Sequence, residues 1–161
     1  MTDRKHEQGY LRYILEGQIK FMLEKKLKDA ACATPDPERS LKNLTSFLEE
    51  NPSRNAELDA YIRETSLLFS ISQFLANYSI THPEVLFEVL GALEDPTEKS
   101  TLSSSLKEKF EAGKGESQRV AMPFYMKTMR EFKMKELLKI TLRDVLKKAE
   151  IVDIMLELSA L

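Results

Sequence analysis

The chain has 161 residues, 42% of them hydrophobic and 31% charged, with a formal net charge of -2 and one cysteine. That length suits one domain able to bury a core without disulfides or metal, and the charge disfavours nucleic acid or an anionic membrane as partner. With Cys32 alone, no intrachain disulfide framework can form, which is compatible with a reducing cytoplasm.

The opening Met1-Thr2-Asp3-Arg4-Lys5-His6 is polar, and no apolar run nears the roughly 18 residues that cross a bilayer. Secretion and membrane insertion are therefore disfavoured, and a cytoplasmic protein is expected. Glycine is scarce, at five residues, and apolar positions recur at helical spacing almost throughout. The fold class that follows is all-α, a multi-helix bundle of about six to eight helices.

A first helix is predicted from about Glu7 to Ala31, burying Leu11, Ile14, Leu15, Ile19, Met22, Leu23 and Leu27, with Gly9 and Gly17 as weak points. Cys32 reads as a small residue at its end rather than a reactive thiol, since no histidine or metal-like partner lies nearby in sequence. Thr34-Pro35-Asp36-Pro37 ends that helix and starts another, with Asp36 as cap and Pro37 at the first helical position. The second helix carries Leu41, Leu44, Phe47 and Leu48, and Asn51-Pro52-Ser53-Arg54-Asn55 breaks it. A long helical stretch follows from about Ala56 to Ile80, with a division expected near Thr65-Ser66. Its apolar stripe is Leu67, Leu68, Ile71, Phe74, Leu75 and Tyr78.

Thr81-His82-Pro83-Glu84 has capping-box spacing, in which the Thr81 hydroxyl accepts from a first-turn amide and Glu84 reaches back. His82 is then a structural first-turn residue rather than a catalytic base, because no serine, cysteine or second histidine sits at a supporting spacing. Val85, Leu86, Val89, Leu90 and Leu93 form a short amphipathic helix stopped by Glu94-Asp95-Pro96-Thr97. A polar helix is predicted from about Ser100 to Glu111, followed by a connection at Ala112-Gly113-Lys114-Gly115-Glu116-Ser117. Gly113-Lys114-Gly115 lacks both the full phosphate-loop spacing and a preceding strand, so it reads as an ordinary loop.

From Met126 to Lys148 the chain carries Lys127, Arg130, Lys133, Lys135, Lys139, Arg143, Lys147 and Lys148 against Glu131, Glu136 and Asp144. Apolar Phe132, Leu137, Leu138, Leu142, Val145 and Leu146 mark one side of this helix. Lys135, Lys139, Arg143 and Lys147 step by four and form a candidate docking surface. A solvated face is the leading reading of that row, ahead of contact with an adjoining domain or protein. Nucleic acid comes last, since no aromatic stacking groups lie between the cations. Met122, Met126, Met129 and Met134 read as core filling rather than as a binding groove. The last apolar turn, Leu158-Ser159-Ala160-Leu161, coincides with the last residue and has no polar tail or capping glycine, so a cut inside a larger protein is expected.

Two segments carry a resemblance. The run Met129-Arg130-Glu131-Phe132-Lys133-Met134-Lys135-Glu136-Leu137-Leu138-Lys139-Ile140-Thr141-Leu142-Arg143-Asp144-Val145-Leu146, with Leu156-Glu157-Leu158-Ser159-Ala160-Leu161 after it, is one. Upstream, Ser72-Gln73-Phe74-Leu75-Ala76 continues to His82-Pro83-Glu84-Val85-Leu86. In this order and separation they resemble the bacterial glutamine synthetase (glutamate-ammonia ligase) adenylyltransferases. That family has a pattern like L-R-x-F-R/K-x-R/K-E-L-L-R/K-I-x-x-R-D-L-L-G and, upstream of it, S-x-F-L-A followed by H-P-E-L-L. The resemblance covers roughly Leu58 to Leu161, which divides the chain into residues 1–55, helical without family likeness, and residues 56–161. Two departures stand out: Lys147 replaces the glycine that closes the R-D-L-L-G helix, and Lys133, Lys135 and Lys139 replace arginines, losing the planar fork of a guanidinium.

The resemblance implies a parent enzyme of nitrogen regulation that transfers AMP to and from a tyrosine of glutamine synthetase, using Mg²⁺ and ATP and answering to a PII-type protein. It leaves the direction of transfer open, because both halves of such enzymes carry related segments. The family's metal-binding aspartates lie on a G-x-x-x-F/Y-S-S-D-x-D strand beyond these residues, and no Asp-x-Asp pair occurs in this chain. Neither catalytic, cofactor nor metal residues are therefore expected here, and Arg143-Asp144 reads as helix-surface electrostatics. The expectation is a non-catalytic helical segment supporting an adjoining nucleotidyltransferase domain. A stand-alone helical adaptor is the alternative, and a gene that stops at Leu161 would favour it.

Overall fold

The computed structural model describes residues 21–93, 104, 107, 108 and 118–161, and all regular structure among them is helical. The expectations for Leu11, Ile14, Leu15, Ile19, Gly9, Gly17, Glu94 to Thr97 and Gly113-Lys114-Gly115 lie outside the described residues. The same is true of the Ser100 to Glu111 helix, except that residues 104, 107 and 108 are helical. The chain divides into two compact units, Met1–Gln73 and Phe74–Leu161.

In the first unit, α1 (residues 21–32) buries Leu27 and Ala31, one turn apart, and leaves Met22 exposed. Met22 is thus not on the buried side: five positions from Leu27 turn it about 140° away around the helix. Cys32 is exposed near the end of α1. The Thr34 hydroxyl donates to Ala31 O at 2.7 Å there. The sequence cues then hold for α2 (Pro37–Glu50): Pro37 opens it and the Asp36 carboxylate accepts from the Arg39 N–H at 3.0 Å. After a 3-10 turn at Pro52–Arg54 come α3 (Asn55–Ala60) and α4 (Ile62–Ile71). An exposed Lys26–Asp59 ion pair at 2.7 Å ties α1 to α3.

The core of this unit is Leu44 and Phe47 of α2 against Leu68 and Phe69 of α4, with the two rings tilted at 6.1 Å. Beside it runs a polar seam. Ser40 Oγ donates to Ser66 O at 2.9 Å, Asn43 Nδ2 to Phe69 O at 3.0 Å and an Arg39 guanidinium N–H to Ser70 O at 3.1 Å. The last carbonyls of a helix have no intrahelical donor, so Asn43 and Arg39 of α2 supply donors at the end of α4, and Arg39 also complements the negative end of its dipole; Ser66 O, which Ser40 meets, lies inside the helix.

The stretch read as one long helix divided near Thr65-Ser66 is instead three helices, parting at Tyr61 and Ser72, while Thr65 and Ser66 are buried inside α4. Ser72 is extended (φ -134°, ψ 103°), and this resets the helical phase. The expected stripe is split accordingly: Leu68 and Leu75 are buried, whereas Ile71 and Phe74 are exposed.

The second unit holds α5 (Gln73–Thr81), α6 (Pro83–Gly91), α7 (Gln118–Val145) and α8 (Ile151–Ala160), with α6 and α8 both packed on α7. Leu75, Ala76 and Ile80 of α5 are buried, as are Leu86, Val89 and Leu90 of α6 with Leu93 just beyond it. From α7 come Leu138, Ile140 and Leu142, and from α8 comes Ile154. The capping box is not formed. Thr81 is the last residue of α5, and its hydroxyl bonds back to Asn77 O at 3.1 Å and Tyr78 O at 3.0 Å. A threonine ending one helix finds carbonyls three and four residues behind it before it finds amides ahead. His82 takes the N-cap position without a side-chain cap bond, and its main-chain carbonyl accepts from Val85 N–H at 3.1 Å instead.

α7 begins well before Met126 and runs through Pro123, which forfeits one helical hydrogen bond. At its far end, Lys147 N–H donates to Asp144 O at 3.0 Å and Lys148 N–H to Arg143 O at 2.8 Å. These are the two bonds of a Schellman cap, and Lys147 holds its left-handed residue at φ 53°. A side chain there is strained where glycine is not. Lys147→Gly is therefore expected to stabilise the second unit by about 0.5–1 kcal/mol. An upward shift of the urea midpoint would check this; no shift would mean that the lysine side chain offsets the strain.

Candidate functional site

Lys135, Lys139, Arg143 and Lys147 do not form a solvent-facing row. Lys135 Nζ donates to Glu88 of α6 at 2.6 Å, and Lys139 is half-buried. Arg143 is 6% exposed, and Lys147 lies past the helix end. Steps of four residues advance about 40° each around a helix, so such a row spirals from the surface into the contact with α8. Arg143 is thus not a surface charge, correcting both its place in the docking row and its reading as surface electrostatics. The methionines also depart from expectation. Met122, Met126 and Met129 are exposed rather than core-filling, and only Met134 is half-buried.

What the structure brings together is an ion pair between Arg143 of α7 and Glu157 of α8, the latter 8% exposed. Arg143 Nε and Glu157 Oε2 are buried with no hydrogen-bond partner among the described residues. Glu136, also buried, lies seven residues earlier on the same side of α7. Around this pair the polarity of α8 is reversed. Its inward side carries Ile154 and Glu157, whereas Ile151 is 72%, Val152 61% and Met155 65% exposed, with Leu156 and Leu158 exposed as well. These side chains leave the outer side of α8 apolar.

His82 packs against the end of α5. Its ring stacks on Tyr78 at 4.5 Å and 18°, and its Nδ1 lies 2.9 Å from the Thr81 hydroxyl. Burial pushes the Tyr78 phenol above its ordinary value of 10.0, with repulsion from Glu131 and Glu84 adding to the shift. Among the described residues no three histidine, cysteine, aspartate or glutamate side chains are placed to hold a metal ion. No helix among them is long and apolar enough to cross a membrane.

The family model described as glutamate-ammonia ligase adenylyltransferase matches residues 62–161, from the first residue of α4 to the last residue of the chain. No curated protein and no solved structure matches.

Proposed function

The chain belongs to the glutamate-ammonia ligase adenylyltransferase family, and from that membership we propose that it is a non-catalytic helical platform for an adjoining nucleotidyltransferase domain. The observation that carries this reading is α8, fastened to α7 through Ile154 and the Glu157 ion pair and apolar on its outer side. In this reading the adjoining domain covers Val152, Met155 and Leu156 and transfers AMP on a tyrosine of glutamine synthetase. Mg²⁺ and ATP belong to that domain, because nucleotidyl transfer needs acidic ligands to neutralise phosphate charge and orient the attacking oxygen. The described residues do not fit such a group. Glutamine synthetase, a PII-type signalling protein and a cytoplasmic setting enter as parts of the same proposal.

The test uses the chain as it stands. Incubated with Mg²⁺, radiolabelled ATP and glutamine synthetase, the 161-residue protein is expected to label no tyrosine. AMP-tyrosine appearing in a contamination-controlled assay would overturn the non-catalytic role. For the platform itself, the chain should bind the family's nucleotidyltransferase domain added in trans, and Met155→Glu should weaken that binding. Binding indifferent to the charge would instead favour a stand-alone adaptor using another surface.

A further inference from the structure

We infer that the Arg143–Glu157 pair decides which face of α8 points outward. The inference concerns the chain's own packing and does not rest on the proposed function. Viewed down α8, Ile154 and Glu157 lie on the side toward α7, and Val152, Met155 and Leu156 on the opposite side. Apolar burial alone favours the reverse arrangement, because half a turn about the helix axis would bury Val152, Met155 and Leu156 in place of Ile154 and the half-buried Leu161.

The charges oppose that rotation. Arg143 is enclosed at 6% exposure. If α8 turned over, Glu157 would leave and the guanidinium would remain in the interior without a counter-charge. Such a state is strongly disfavoured, because arginine cannot shed its proton. Rotation would thus gain apolar area at the expense of an orphaned buried charge, and the pair acts as a polarity lock. A buried ion pair of this kind contributes little net stability against an apolar substitute; what it supplies is a unique register.

The experiment reads the face directly. In a Cys32→Ser background, which removes the exposed native thiol, Met155→Cys and Ile154→Cys each place one reporter thiol, about 100° apart around α8, on its exposed and its buried side. With the pair intact, the thiol at 155 should react with a maleimide at least about tenfold faster than the one at 154, as expected for an exposed against a protected site. Arg143→Met/Glu157→Gln keeps similar bulk while removing both charges, and should invert that ratio with helix content unchanged by circular dichroism. The swapped pair Arg143→Glu/Glu157→Arg restores opposite charges and should restore the ratio. An unchanged preference for 155 in the neutral variant would overturn the inference. So would two equally fast thiols, which would mean that the pair holds α8 down without choosing its face.

Discussion

Replacing Glu157 by alanine should destabilise the second unit by about 3–5 kcal/mol, the usual cost of removing one partner from a buried ion pair. The carboxylate faces Arg143, and both side chains are almost wholly enclosed between α7 and α8. Arg143→Ala should cost less, because an orphaned carboxylate can take up a proton whereas an orphaned guanidinium stays charged. The double change Arg143→Met/Glu157→Leu should recover most of the loss, since well-packed apolar groups commonly match or exceed a buried pair in stability. Hydrogen exchange of the α7 and α8 amides across a urea series separates these outcomes. A single variant within about 0.5 kcal/mol of the parent, the range typical of surface changes, would show that the pair is solvated in solution.

Phe47→Ala should have an effect of similar size in the first unit, about 3–5 kcal/mol for deleting a buried phenyl ring. Phe47 is fully buried and lies against the Phe69 ring at 6.1 Å, so the deletion leaves a cavity bordered by both helices of that core. Phe47→Leu retains much of the volume and should cost less. Faster exchange in α2 and α4 together is the expected signature. Acceleration confined to α2 would show that α4 holds its packing independently.

These two predictions draw on features that differed in how far the sequence revealed them. Phe47 was legible: it sits one turn from Leu44 in a helix announced by Asp36-Pro37, and local rules for caps and spacing sufficed. The all-α class followed from the same periodicity. The Arg143–Glu157 pair was not legible, because spacing along one helix says which residues share a side but not what approaches that side from another helix. One clue was present. Glu157 interrupts a segment that is otherwise apolar or small from Ile154 to Leu161, and an isolated acid there calls for a buried partner.

The breaks at Tyr61 and Ser72 escaped for a different reason. Neither position carries proline or glycine, and the interruption at Ser72 is sustained by donors from α2 to the carbonyls of Phe69 and Ser70 just before it. The capping box failed where two local bonds competed for a single hydroxyl, and Thr81 took the carbonyls behind it. Lys147 showed the reverse case: the departure from glycine was visible in the sequence, and the structure keeps the left-handed turn that glycine would favour.

The seam between α2 and α4 has a bearing on where this protein can be divided. The family match opens at residue 62, where α4 starts, while Arg39, Ser40 and Asn43, which donate to carbonyls of α4, lie upstream of it. Kinship and self-sufficiency therefore begin at different places along the polypeptide. The matched portion leans on residues that precede it, and an excision guided by the match alone would cut through one compact unit.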